Sequence, residues 1–162
     1  MLANKGYAII KHAYNEDGKE TDIWYFNDKE KPVEVKGVHH IIKEYDKTGN
    51  VSKESYQNAD GKPILNNFGY AFVKKEYNEN GKVIRESYFG ISDEAVQNKL
   101  GASVTSFKYD EDGNKIEEAY YDTDGNLINN NKGFARIVME YSENGEIKTT
   151  YYDADGEEVK ID

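Results

Sequence analysis

The chain repeats itself five times at a near-constant period of 32 residues. Gly6, Gly37, Gly69, Gly101 and Gly133 each open a copy, and eight residues later stands a tyrosine: Tyr14, Tyr45, Tyr77, Tyr109 and Tyr141. Four residues beyond each tyrosine comes a second glycine: Gly18, Gly49, Gly81, Gly113 and Gly145. Self-similarity at this period marks a stacked array, in which a copy buries its apolar face only against its neighbours. The copies run 6–36, 37–68, 69–100, 101–132 and 133–162, and together they make residues 1–162 a single repeat domain. Residues 1–5 resemble the tail of a preceding copy, so the chain reads as a piece of a longer array.

Composition agrees with a thin, shared core. Charged residues make up 32% of the chain, while the hydrophobic class reaches 37% only by counting 14 tyrosines. That leaves little aliphatic material for a deep interior, but 13% aromatic content at fixed repeat positions argues against disorder. The net charge of −10 repels phosphate backbones and anionic lipid, so neither nucleic acid nor membrane insertion is expected. No apolar run approaches the length of a membrane-spanning helix. With no cysteine, disulfides and thiol catalysis are excluded.

Within a copy, let the first glycine be position zero. Position 2 holds Ala8, His39, Ala71, Ser103 and Ala135, and position 4 holds Ile10, Ile41, Val73, Thr105 and Ile137. Small and β-branched residues on even positions, with the odd position 7 holding Ala13, Glu44, Glu76, Lys108 and Glu140, predict a half-buried strand ending at the tyrosine. A turn follows, as in Asn15-Glu16-Asp17-Gly18 and Asp110-Glu111-Asp112-Gly113. An Asx residue that caps its own turn, followed by a glycine free to take positive φ, is a hairpin signal. A second strand returns and ends in an aromatic pair: Tyr25-Phe26, Tyr88-Phe89, Tyr120-Tyr121 and Tyr151-Tyr152, with Tyr56-Gln57 in copy two. Copy five is one residue short in this strand. One ring of each pair should point inward and the other outward.

A second Asx-x-x-Gly turn follows, as in Asn58-Ala59-Asp60-Gly61, and a short segment such as Lys62-Pro63-Ile64-Leu65 leads to the next copy. In copy three the corresponding stretch, Ser92 to Gly101, carries an N-cap serine and early acids and is expected to form one or two helical turns. The fold expected is therefore all-β: a tandem β-hairpin repeat array, solenoid-like or an extended single sheet, of five ~32-residue repeats. Unpaired strand edges at its ends would allow end-to-end self-association.

Tyr109-Asp110-Glu111-Asp112-Gly113-Asn114, Tyr121-Asp122-Thr123-Asp124-Gly125-Asn126 and Tyr45-Asp46-Lys47-Thr48-Gly49-Asn50 resemble the Y-D-x-x-G-N core of bacterial YD repeats, also called RHS repeats. The 20-residue spacing from Gly61 to Gly81 and from Gly125 to Gly145 is similar to that family's period. Ala119-Tyr120-Tyr121-Asp122-Thr123-Asp124-Gly125 has a weaker likeness to the aromatic hairpins of choline-binding, cell-wall-binding repeats. Both resemblances imply a non-catalytic module of a bacterial surface or secreted protein. The first also implies a segment of a shell that encloses a toxin, and the second a cell-wall or glycan-binding module.

Candidate chemistry is sparse. The Asp-x-Asp-Gly turns lack the alternating acids and terminal bidentate Glu of a calcium loop, so they read as turns. His12, His39 and His40 lack metal-ligand spacing, and the two adjacent ones should point apart. Glu117-Glu118 and Glu157-Glu158 read as a solvated charged face, because an acid–base pair needs one shared cleft. No catalytic residue, metal site or cofactor follows. The tyrosines at position 8 are expected to form the repeat core. Tyr7, Tyr70 and Phe134 at position 1, with Phe26, Phe89 and Tyr121 in the aromatic pairs, are the candidate binding stripe for a protein or glycan surface. The function expected is a scaffold or spacer that presents such a surface repeatedly.

Overall fold

The computed structural model describes residues 6–142 and 145–161. The tail at 1–5, the turn residues Glu143 and Asn144, and the final Asp162 lie outside the described residues. The fold is all-β, with no helix among the described residues. Five hairpins supply ten of its strands: β1 (Ile9–Tyr14) with β2 (Glu20–Phe26), β3 (His40–Tyr45) with β4 (Val51–Gln57), β5 (Phe72–Tyr77) with β6 (Val83–Phe89), β7 (Val104–Tyr109) with β8 (Lys115–Tyr121), and β9 (Arg136–Tyr141) with β10 (Ile147–Tyr152). A short β11 (Glu158–Val159) follows. All eleven join one open antiparallel sheet in chain order. The chain groups into two compact units, residues 1–74 with 89–94, and residues 75–88 with 95–162.

One turn design recurs along the chain. In the β1–β2 turn, Asn15 donates its N–H to the Lys19 carbonyl at 2.9 Å, and its own carbonyl accepts from Gly18 at 3.0 Å. Its Oδ1 accepts from Asp17 and Lys19. The side chain thus satisfies backbone donors that the reversal leaves over. Asp46, Asn58, Asn66, Asn98, Asp110, Asp122, Asn130 and Asp153 head turns with the same backbone pair of bonds. Gly61, at the last position of its turn, has φ 75°, the left-handed region that glycine enters without steric cost.

Copy three departs from its expected helical turns. Gly90 donates to the Glu94 carbonyl at 2.8 Å and Val96 to the Tyr88 carbonyl at 3.0 Å, so the segment is the second turn and its return strand. Asp93 takes the left-handed position at φ 64°, as Glu30 does in copy one at φ 57°. Gly90 has no side chain to cap the turn, and the Glu94 carboxylate accepts the Ser92 N–H instead, at 2.8 Å. The acids that suggested a helix start serve the turn.

Two irregularities break strict alternation. Between Ala13 and Tyr14 the pairing shifts register, so that β2 carries one extra residue, and the same bulge lies between Glu44 and Tyr45 and between Lys108 and Tyr109. In β9–β10 the register is unbroken from Arg136↔Tyr152 to Tyr141↔Ile147. The residue missing from copy five is the bulge residue, and losing it leaves the faces downstream unchanged.

The second irregularity lies between copies. Gln57 pairs with Pro63 and Ile64 donates to the Tyr56 carbonyl, but Ser55 pairs with Phe72. Residues 65–71 therefore bulge out of the row as a loop built on the Asn66–Gly69 turn. Where the loop returns, Ala71 donates to Phe89 at 2.7 Å and accepts from Tyr56 at 3.0 Å, bonding both neighbouring strands at once. Ser103 and Ala135 do the same in the second unit. This crowding demands a small side chain at position 2. Ala71, Ser103 and Ala135 are 3%, 2% and 0% exposed, while Ala8 in copy one is exposed.

In the first unit the interior comprises Val38, Tyr56, Ala71, Phe72 and Val73. In the second, Ala102, Tyr120 and Phe134 form a buried cluster against which Leu100, Ile137, Tyr151 and Val159 pack. The buried tyrosines Tyr88 and Tyr120 are the first rings of their aromatic pairs, whose second rings Phe89 and Tyr121 are half-buried, and the buried Tyr56 precedes Gln57.

Candidate binding surfaces

The position-8 tyrosines are clamps between copies. Tyr45 donates its hydroxyl to the Glu20 carbonyl at 2.6 Å, Tyr109 to Val83 at 2.8 Å and Tyr141 to Lys115 at 2.9 Å. Each acceptor begins the returning strand of the preceding copy. Lys19 lies 5.3 Å above the Tyr45 ring and Lys82 6.0 Å above that of Tyr109. These rings are half-buried to exposed, and Tyr14 is 60% exposed. Tyr109→Phe should cost about 1 kcal/mol in urea unfolding, the typical net worth of one hydrogen bond. Tyr14→Phe should leave the unfolding midpoint unchanged.

The six stripe candidates fall into two sets. Tyr7, Tyr70 and Phe134 pack on the inner ring of a pair: Tyr7 lies 5.2 Å from Tyr25, Tyr70 5.9 Å from Tyr56, and Phe134 5.8 Å from Tyr120 and 4.9 Å from Tyr151. Phe134 is 4% exposed, an interior residue. Phe26, Phe89 and Tyr121 are the outer rings of their pairs and point to the opposite side from Tyr25, Tyr88 and Tyr120. Cations already cover two of them. Lys11 stands 4.8 Å above Phe26, and Lys74 4.9 Å above Phe89, which itself stacks on Phe72 at 4.8 Å.

The polar groups are committed to structural pairs. His40 bonds Asp22 at 2.7 Å and Gln57 at 3.1 Å and stacks on Trp24 at 4.6 Å. His39 turns to the Val33 carbonyl and meets Phe26 edge-on. His12 and Lys43 both hold Glu20, and the Lys43 bond, reinforced by His12, keeps the Glu20 carboxyl below its ordinary range against the opposing effect of burial. Glu117 pairs with Lys108 at 2.8 Å and Arg136 at 3.6 Å, while Glu118 receives the Tyr120 hydroxyl and Lys115. The two acids leave opposite sides of β8. Among the described residues no group of three or more His, Cys, Asp or Glu is placed to hold a metal ion. Asp46 heads its turn with a carboxyl lowered to about 2 by the Thr48 hydroxyl and the Asn50 and Thr48 amides.

A groove in the first unit lies where no stripe was expected. Its volume is about 340 Å³. Tyr25, Ile41 and Tyr56 form the floor, the turn at Val35–Val38 one wall, and Asn66, Asn67 and Phe68 the other. Burial, and then the adjacent Glu54, hold the Tyr56 hydroxyl protonated far above its ordinary range, and burial likewise raises Tyr25. Phe68 is 57% exposed. It stands just before the opening glycine, where other copies hold Lys36, Leu100 and Lys132. No known family model matches the chain, and no curated protein matches it.

Proposed function

We propose that this chain is a non-catalytic binding module, a scaffold whose repeats present recognition groups to a protein or glycan surface. The observation that carries it is the backbone lock between copies: position-8 hydroxyls and position-2 carbonyls tie hairpins to the preceding ones within each unit. Such locks hold side chains on a sheet at fixed intervals, the preorganisation that multivalent binding requires. The pairing of Glu117 and Glu118 with separate cations on opposite faces supports a structural use for these acids. The YD-type turn motifs support placement on a bacterial surface or in a secreted protein, as spacer or as shell segment.

A second reading, glycan binding, is favoured by the groove of tyrosines and Phe68, since rings beside amides and a carboxylate suit sugar recognition. Co-sedimentation with purified peptidoglycan sacculi and with immobilised bacterial surface protein tests both. Retention without release of soluble fragments is the expected result. Fragment release would make the module an enzyme, and failure to bind either surface would overturn the proposal.

A further inference from the structure

We propose that the groove between the first two copies is a binding site for a neutral oligosaccharide. The proposal rests on the binding-module reading and gives it a location and a ligand class.

The groove exists because one turn is short. Gly37 follows Gly6 by one residue less than Gly69 follows Gly37, and the missing residue lies in the loop before Gly37. That loop is a two-residue hairpin, with Val35 and Val38 exchanging bonds of 2.7 and 3.1 Å around Lys36 and Gly37, both at positive φ. The next loop is the longer Asn66–Gly69 form. A wall is thereby lowered beside a full-length one. In the second unit two full-length loops stand side by side and close on each other. Asn131 donates its N–H to the Leu100 carbonyl at 2.8 Å and its side-chain amide to Lys99 at 3.0 Å. Leu100, at the register position of Phe68, packs onto the Tyr120 and Phe134 cluster. Phe68 is instead 57% exposed, and its ring stacks on Tyr70 at 6.3 Å.

Three features choose the ligand. The charged groups of the lining are one acid, Glu54, and one base, Lys36, so the groove is locally neutral in a chain of net charge −10. Neither a polyanion nor a polycation is favoured there. The strands of the floor, β2, β3 and β4, are paired on both sides, so an extended peptide finds no free backbone edge to join. What remains is apolar ring surface from Tyr25, Tyr56 and Phe68, beside the carboxylate of Glu54 and the amides of Asn66 and Asn67. Sugar C–H faces pack on rings, and sugar hydroxyls pair with carboxylates and amides. The volume sits near the lower bound of small-molecule sites, roughly 300 Å³.

The test is an amide NMR titration of the ¹⁵N-labelled chain with maltotriose, cellotriose and chitotriose in turn. At least one sugar should shift the amides of Tyr25, Ile41, Tyr56 and Asn66–Phe68. F68A should weaken that binding at least tenfold, and N67A severalfold, without altering the rest of the spectrum. Both side chains are exposed, so folding is not at stake. Shifts confined to the Phe72 and Phe89 side of the sheet would overturn this site while leaving the binding module standing. So would silence with all three sugars beside retention on sacculi, or F68A binding like the parent chain.

Discussion

Truncating Tyr120 to alanine is expected to cost about 3–5 kcal/mol, the largest effect of any single substitution here. The ring is 3% exposed and lies at the centre of the buried cluster with Ala102 and Phe134. Its backbone is pinned as firmly as its side chain: the N–H reaches the Ala135 carbonyl at 2.9 Å and the carbonyl accepts from Ile128 at 3.0 Å. These bonds hold the backbone, so the structure cannot collapse into the vacated space and the cavity persists. Tyr120→Phe separates the contributions. It keeps the ring and removes the hydroxyl donated to Glu118, which retains Lys115, so the cost should be about 1 kcal/mol. Urea unfolding followed by circular dichroism reads both. A loss below about 1 kcal/mol for Tyr120→Ala would show that this cluster does not hold the second unit together.

Ala135→Leu is expected to cost about 2–3 kcal/mol by the opposite route, overpacking. Ala135 is 0% exposed, and its N–H and carbonyl bond to Tyr152 and Tyr120 on either side. The three added carbons could be accommodated only by parting strands that those bonds hold together. The repeat supplies its own control. Ala8 occupies the same position in copy one but is exposed, so Ala8→Leu should change the unfolding free energy by less than about 0.5 kcal/mol. Equal losses for the two variants would mean that position 2 is small for a reason other than crowding between copies. His39 is the natural exception at this position. It lies beside the shortened Val35–Val38 turn, where its ring reaches the Val33 carbonyl and the edge of Phe26.

Much of the hairpin array is written locally. An Asx residue three positions before a glycine determines its own turn, because donor, acceptor and left-handed residue lie within five residues. Strand limits followed from those turns, and alternation required one ring of each aromatic pair to face in and the other out. The helical expectation at Ser92 failed because Glu94 replaces an absent Asx cap, a substitution visible only once the backbone bonds are placed. The groove between Tyr25, Tyr56 and Phe68 was missed for a related reason. Its cause is one residue missing from one turn, and a missing residue has no side chain to notice.

The residues alone determined the hairpins, their number and the turn inside each hairpin, since these depend on contacts a few positions apart. Tertiary structure alone decided which side of the sheet each ring serves and what the position-8 tyrosine is for. Counting from the glycine fails at two places, the bulge after the tyrosine and the loop before position 2, because each interrupts the two-residue alternation on which counting relies. The partner of Tyr109 is a carbonyl 26 residues earlier in another copy. Every residue carries such a carbonyl, so no side-chain pattern could single out the acceptor before the strands were laid side by side.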